Sequence, residues 1–133
     1  MTTPAPADVV RNYLDALGPT AEDYWRSFET YFDGKTVWEN VGMARTVGRD
    51  EAVAFARSFP VDFAYMTYED LRLSVSGETV FAERVDHFVN EVGEKLLTIR
   101  VAGVFVVEGA ILREWRDYFD TAGVAARVAE LNA

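Results

Sequence analysis

The segment TVFAERVDHF, residues 79–88, decides the fold because its side chains follow a two-residue period. From Val61 onward the chain changes from a helical period of about 3.6 residues to this shorter one, which is typical of β-strands. Turn signals at residues 76–77, 91–94 and 108–109 bound the strands. We therefore predict about four strands after Val61, joined as an antiparallel meander. Alternation gives one face Val80, Ala82, Arg84, Asp86 and Phe88, and the other face Phe81, Glu83, Val85, His87 and Val89.

Three segments with helical spacing come before these strands. Pro6 suits the first turn of a helix over residues 7–17, which Gly18-Pro19 ends. Thr20 and Asp23 resemble a capping box for a second helix, and residues 49–59 form the third. The apolar stripes that we expect in the core are Val9, Val10, Tyr13, Leu14 and Leu17, then Tyr24, Trp25, Phe28, Tyr31 and Phe32, then Val53, Phe55, Ala56 and Phe59.

The order of these elements predicts the fold class. Residues 35–40 (KTVWEN) are predicted as a short strand and residues 41–48 (VGMARTVG) as a loop with two glycines. Asp120 can cap a last helix over residues 121–132, although Gly123 lowers its helix propensity. Helices followed by one meander indicate an α+β fold, in which a curved, mixed or antiparallel sheet forms a cone with helices across its concave face. Such a cone encloses a pocket.

Length and charge limit the possible partners. The 133 residues make a single domain, of which residues 1–5 are predicted to be a flexible tail. The formal charge of −9 repels phosphate groups, so we expect neither nucleic acid nor a membrane as partner. The absence of cysteine excludes thiol nucleophiles and disulfides. Because the first ten residues have neither a basic segment nor an apolar run, we expect a cytoplasmic protein.

Charged residues on a strand face that is otherwise apolar are the main functional signal. Arg84 and Asp86 share such a face, and in residues 112–120 Asp117 alternates with Trp115 and Phe119. The planar guanidinium of Arg84 can hold one carboxylate on each side. In a buried pair of this kind one aspartate can keep its proton while the other acts as a base. A structural ion pair gives the same pattern, and alternation alone does not separate the two interpretations.

Two stretches together resemble a known family. The motif ERVD at residues 83–86, followed by GVFVVEGAILREWRDYFD at 103–120, is similar to the limonene-1,2-epoxide hydrolases, a group within the cone-shaped fold of nuclear transport factor 2. The likeness extends from about Val10 to Phe119 and includes VWEN at 37–40 and GRDEAV at 48–53. Members of this family open an epoxide to a vicinal diol with water, without a covalent intermediate. The resemblance implies the same reaction here, on a small lipophilic epoxide and without a metal or organic cofactor.

The resemblance also implies roles for individual residues. By position, Asp117 is the general base for water, Asp86 is the acid for the epoxide oxygen, and Arg84 bridges them. Asn40 holds the water. Trp38 stands where the family usually has a tyrosine, and its indole can donate a hydrogen bond but cannot accept one. We predict a pocket lined by Trp115, Phe119, Phe59, Met43 and Met66, with simple core packing as the alternative for the last three. Dimerisation through the outer sheet, as in family members, implies a homodimer in which Phe81, Val85 and Val89 are buried.

Other functions stay open at this point. An isomerase or polyketide cyclase of the same fold is one alternative, although Asn40 stands where such isomerases have their base. A non-catalytic binding protein is another, for which the three charged residues have no explanation. His87 faces away from Arg84 and Asp86, so we interpret it as a surface or interface residue and expect no metal site. A GxSxG nucleophile motif is absent from the sequence.

Overall fold

The computed structural model describes residues 2–133, which form a curled six-stranded sheet and four helices. The predicted α+β fold with a curved sheet is confirmed. Met1 lies outside the described residues, so the predicted tail is described only at residues 2–5, which are exposed and precede the first helix. The elements are α1 (Pro6–Asp15), α2 (Ala21–Tyr31), β1 (Val37–Asn40), β2 (Ala44–Val47), α3 (Arg49–Ser58), β3 (Tyr65–Ser76), β4 (Thr79–Val89), β5 (Lys95–Glu108), β6 (Ile111–Tyr118) and α4 (Thr121–Leu131).

The sheet joins a meander to a short hairpin. Its strand order is β2-β1-β6-β5-β4-β3, and every neighbouring pair is antiparallel except β1 with β6, which is parallel. The parallel register sets Trp38 beside Trp115 and Asn40 beside Asp117. Side chains paired in this way point to the same face of the sheet. The hairpin therefore adds residues from the first third of the chain to the face that carries Asp117.

Irregular pairing bends the long strands. The register shifts between Glu69 and Arg72 on β3, between Phe88 and Val89 on β4, and between Val106 and Val107 on β5. Bulges of this kind raise the local twist and bend a strand. Asp70, inside the first shift, has a φ of 56°, a backbone region that side chains other than glycine seldom adopt. The sheet consequently curls around α1 and α2, which pack against its strands.

Side-chain caps fix where two of the helices begin. The hydroxyl of Thr20 accepts a hydrogen bond from the backbone N–H of Asp23 at the start of α2, as the sequence predicted. Asp120 caps α4 by accepting from the backbone N–H of Gly123 at 3.0 Å. A Cβ atom at position 123 would collide with the Asp120 carboxylate. Gly123, which lowers intrinsic helix propensity, is therefore the residue that makes room for the cap.

The core lies between the helices and the concave face of the sheet. Aromatic rings dominate it, and many meet edge to face, as Tyr13 does with Trp115 at a centroid distance of 5.2 Å. The predicted stripes of α1 and α2 are buried or partly buried here. In α3 the fully buried residues are Ala52 and Ala56, while Val53 and Phe55, and Phe59 just after the helix, are only partly buried. None of the helices in residues 2–133 is long and apolar enough to cross a membrane.

Three predictions from the sequence were wrong. The loop predicted at residues 41–48 contains β2, which pairs with β1 although it has only four residues. His87 is not at the surface of the chain, since it is 5% exposed and its Nδ1 lies 2.8 Å from the Thr98 hydroxyl. Val89 is 3% exposed and is therefore not part of an exposed outer apolar surface, because alternation fixes the face of a side chain but not whether other groups cover it.

Candidate active site

Arg84 connects two aspartates inside the cone. Its Nε donates to Asp86 Oδ1 at 3.2 Å, and one of its terminal nitrogens donates to Asp117 Oδ2 at 2.8 Å. The Arg84 side chain is 0% exposed and each carboxylate side chain is 8% exposed. Arg84 and Asp86 come from β4 and Asp117 comes from β6, so the Arg84–Asp117 ion pair spans the intervening strand β5. The structure thus brings together the three charged residues that the sequence placed on one face.

Gly103 on β5 makes this connection possible. In the strand register it stands directly beside Asp117 on β6 and beside Ala82 on β4. A Cβ atom at this position would lie 2.6 Å from an Arg84 guanidinium nitrogen and 2.6 Å from Asp117 Oδ1. The guanidinium therefore reaches Asp117 across a strand position that has no side chain. The sequence analysis missed Gly103, although a glycine inside a strand is a recognised sign of close approach by another group.

Trp115 holds the second oxygen of Asp117. Its indole Nε1 donates to Asp117 Oδ1 at 2.7 Å, while Oδ2 accepts from Arg84. Trp115 stands two residues before Asp117 on β6 and is itself held between the stacked rings of Trp38 and Phe105, at 5.1 and 5.3 Å. Both carboxylate oxygens consequently have fixed donors. The sequence predicted Trp115 as a pocket residue but not as a partner of Asp117.

Burial and the neighbouring charges shift the pKa values of Asp86 and Arg84. Burial raises the pKa of Asp86 to about 6, the positive charge of Arg84 opposes this, and the negative charge of Asp117 adds to it. Burial alone lowers the pKa of Arg84, but the two carboxylates outweigh it and raise the pKa above its ordinary value. Arg84 therefore stays charged. With a pKa of about 6, half of Asp86 keeps its proton at pH 6 and roughly a tenth at pH 7, so a proton donor is present in this range.

Asn40 and Trp38 flank this set from β1. The parallel pairing with β6 sets Asn40 beside Asp117, and Asn40 is 9% exposed and lines the cavity. Trp38 lines the same cavity with its ring stacked on Trp115, but its Nε1 is buried and has no hydrogen-bond partner among residues 2–133. The structure thus places both side chains at the site. The water-positioning roles of Asn40 and Trp38 remain predictions.

The cavity itself is mainly aromatic and aliphatic. All five residues that were predicted to line the pocket do so: Trp115, Phe119, Phe59, Met43 and Met66. Sequence reasoning missed the polar contribution of the helices, because it assigned Tyr13 and Tyr24 to the core. Both tyrosines pack into the core and also line the cavity. Among the described residues, no group of three or more His, Cys, Asp or Glu side chains is arranged to hold a metal ion.

A cone-shaped α+β fold with a buried Asp-Arg-Asp set in an apolar cavity defines a class of protein suited to acid–base chemistry on a lipophilic molecule. The family model of the limonene-1,2-epoxide hydrolase catalytic domain matches residues 4–129. The chain belongs to this family. The resemblance noted in the sequence is thereby confirmed.

Solved structures share the fold at low sequence identity. An LEH-like epoxide hydrolase from M. tuberculosis is 24% identical with a TM-score of 0.67, over 94% of this chain and 90% of that one. An NTF2-like protein of unknown function from Burkholderia pseudomallei K96243 is 21% identical, with a TM-score of 0.73 over 96% and 98% of the two chains. A putative SnoaL-like polyketide cyclase from Shewanella denitrificans OS-217 is 14% identical, with a TM-score of 0.73 over 96% and 98%. These likenesses show the fold alone.

Proposed function

We propose that the protein is an epoxide hydrolase that converts a lipophilic epoxide to a vicinal diol in one step. The observation that carries the proposal is the pair of buried aspartates on one arginine, with different surroundings for each carboxylate. Asp86, whose pKa burial raises to about 6, is the proton donor. Asp117, oriented by Arg84 and Trp115, is the base. Family membership supports this reaction class.

The proposed step uses both aspartates at once. Asp117 accepts a proton from water as the water oxygen bonds to one ring carbon. The bond from that carbon to the epoxide oxygen breaks, and Asp86 donates its proton to this oxygen. Before the step the set contains one carboxylate, one neutral acid and Arg84, and after the step it contains the same groups with the proton on the other aspartate. The net charge does not change, which matters in a cavity where an added charge is costly.

The neighbouring residues supply orientation. Asn40, beside Asp117, has an amide oxygen that can accept the second hydrogen of the water and so direct its lone pair to the ring. Trp38, whose ring is stacked on that of Trp115, forms part of the cavity wall. The aromatic lining excludes bulk water from a strained ring that is otherwise open to slow hydrolysis. Each well-positioned proton transfer contributes a factor of about 10² to 10⁴ in rate.

The decisive experiment measures diol formation from cyclohexene oxide, limonene oxide and styrene oxide, with a metal chelator present throughout. The wild type should form diol, and Asp117→Asn should lower kcat by about 10² to 10⁴ because it removes the base with little change in shape. Asp33→Asn is the matched control, since Asp33 is also held by an arginine, Arg113, at 2.8 Å but lies outside the cavity. A folded wild type that opens none of these epoxides, or an Asp117→Asn variant of full activity, contradicts the proposal.

A further inference from the structure

The proposed reaction leaves two cavity groups unused. Tyr13 on α1 and Tyr24 on α2 both line the cavity, and they are only 2% and 5% exposed. Their rings account for core packing, since Tyr13 meets Trp115 edge-on at 5.2 Å and Tyr24 meets Phe63 edge-on at 5.0 Å. Phenylalanine would pack in the same way. The two hydroxyl groups therefore need a separate explanation.

These hydroxyls differ from the other buried hydroxyls of the chain. Ser27 donates to the Tyr24 carbonyl at 2.6 Å, Thr36 donates to the Leu112 carbonyl at 2.7 Å, and Thr46 donates to the Trp38 carbonyl at 3.3 Å. Neither phenol has a hydrogen-bond partner within residues 2–133. Since buried polar groups in proteins are nearly always paired, a pair of unpartnered phenols is unusual.

The phenol oxygens also have open space beside them. The side-chain polar atoms in residues 2–133 that are both fully enclosed and unpartnered belong to Trp38, Arg84 and His87, and neither phenol is among them. The open space that both tyrosines border is the cavity. Their hydrogen-bonding capacity is thus available to a molecule that occupies the cavity.

The two phenols differ in their electrostatic interaction with the catalytic set. Tyr13 contacts the ring of Trp115, which in turn donates to Asp117. Burial raises the pKa of Tyr13, and the charges of Tyr24, Asp117 and Asp86 raise it further. The positive charge of Arg84 lowers it. Tyr13 therefore interacts electrostatically with the two aspartates and with Arg84. For Tyr24 burial alone raises the pKa. Both phenols line the cavity that contains the aspartates, and of the two only Tyr13 has a pKa that these charges shift.

We propose that Tyr13 and Tyr24 form a polar subsite that binds a second oxygen of the substrate, away from its epoxide ring. This inference rests on the proposed function and names its substrate class: a neutral, lipophilic epoxide with a hydroxyl or carbonyl group elsewhere in the molecule. A phenol donates to a carbonyl oxygen and both donates to and accepts from a hydroxyl. A carboxylate suits the subsite less well, because the cavity cation, Arg84, is already bound to Asp86 and Asp117.

The test compares two epoxides that differ only by a methyl group and a hydroxyl group. The substrates are 1,2-epoxy-4-methylcyclohexane and 3,4-epoxycyclohexan-1-ol, and the measured quantity is the ratio of their kcat/KM values. We expect the wild type to prefer the hydroxylated epoxide by about 10- to 100-fold, because one or two hydrogen bonds are gained. Tyr13→Phe and Tyr24→Phe should each lower this ratio about tenfold. Tyr31→Phe, at a ring that does not line the cavity, should leave it unchanged.

Thermal unfolding separates binding from a structural role. Removal of an unpaired buried hydroxyl should leave Tm unchanged or raise it, whereas loss of a structural hydrogen bond lowers it. A wild-type ratio near one, or the same ratio in wild type and both variants, overturns the proposal. So does a Tyr13→Phe variant that loses activity on both epoxides equally, because that result assigns Tyr13 to the reacting groups instead.

A binding measurement keeps the subsite testable if no epoxide is opened. Saturation-transfer NMR compares 4-methylcyclohexanol with 1,4-dimethylcyclohexane in the wild type and in the two Tyr→Phe variants. Selective binding of the alcohol that is lost in the variants supports the subsite even when diol formation fails, in which case only the hydrolase proposal is lost. Equal binding of both probes in an active hydrolase overturns the subsite and leaves the hydrolase proposal intact.

Discussion

Substitution of Gly103 by alanine tests whether the bare strand position is what lets Arg84 reach Asp117. The new methyl carbon would lie 2.6 Å from an Arg84 nitrogen and 2.6 Å from Asp117 Oδ1. Ordinary contact begins at 3.4 Å, so each group must move by about 0.8 Å (3.4 − 2.6). The charged hydrogen bond of 2.8 Å joins the other terminal nitrogen of Arg84 to Asp117 Oδ2, so both of its partners belong to groups that must move.

The expected cost follows from two effects. Overpacking of a filled interior costs about 1–3 kcal/mol, and a hydrogen bond to a charged group contributes about 1.5–3 kcal/mol. Because both effects arise from one movement they do not add, and we expect the free energy of unfolding to fall by about 2–3 kcal/mol. A displacement of this size in a catalytic group lowers kcat by a factor on the order of 10².

The assays are urea unfolding and diol formation, and Gly34→Ala is the matched control. A methyl group at position 34 would meet no other atom within 4 Å, and the φ of Gly34 is not positive, so alanine there should change stability by less than about 0.5 kcal/mol. If Gly103→Ala unfolds and turns over like the control, the close approach over β5 has no energetic consequence and our account of the site is wrong. If stability falls but kcat does not, the Arg84–Asp117 geometry is structural and not catalytic.

Three further predictions concern the same site and the outer sheet. Because burial raises the pKa of Asp86 to about 6, kcat should fall as pH rises above about 6, which a pH–rate profile checks. The folded-state pKa of Asp86 lies above its ordinary value of 3.8, so its stabilising contribution is complete below that value and lost as pH rises through 6. Asp86→Asn should therefore gain about 2 kcal/mol relative to wild type between pH 4 and 7 in urea titrations, and a constant difference contradicts this. Trp115→Phe keeps the stacked ring but removes the donor to Asp117 Oδ1, so kcat should fall about tenfold with little change in KM, and an unchanged kcat shows that Arg84 alone orients the base. Phe81 is 47% exposed on the outer sheet, so the homodimer expected from the family predicts that Phe81→Glu gives monomers by sedimentation equilibrium, while a monomeric wild type contradicts the expectation.

The sequence was sufficient to predict the features that depend on a single strand. Alternation alone placed Arg84 and Asp86 on one face, because a strand has only two faces. It also placed Trp115, Asp117 and Phe119 together on the last strand. The turn signals at Gly77, Gly93 and Gly109 were clear because each of these glycines adopts a positive φ.

Features that depend on the register between strands could not be predicted from the sequence. Gly103 matters because it stands beside Asp117, and nothing within β5 specifies that alignment. The register shift after Phe88 could not be predicted from β4, since the extra residue, Leu96, lies on β5 between the partners of Phe88 and Val89. His87 was assigned to the outside by alternation, which does not show whether a neighbouring strand covers a side chain.

Helix faces presented a different difficulty. A helical stripe identifies which residues point inward, but an inward residue can touch packed core or open cavity. Tyr13 and Tyr24 do both, with rings in the core and hydroxyls without a protein partner. The distinction depends on how far the helices stand from the curled sheet, which is a property of the assembled fold.

The cavity wall is divided between two kinds of element. The residues proposed for proton transfer are anchored on β4 and β6, whose backbones are locked into the sheet, whereas Tyr13, Tyr24 and Phe55 come from helices that rest on it. Substitutions on the helices can reshape the cavity without any shift in the hydrogen-bond ladder that sets the spacing of the aspartates. Directed evolution toward new substrates should therefore find its productive changes on α1, α2 and α3, and a library confined to the strands should yield mostly inactive proteins.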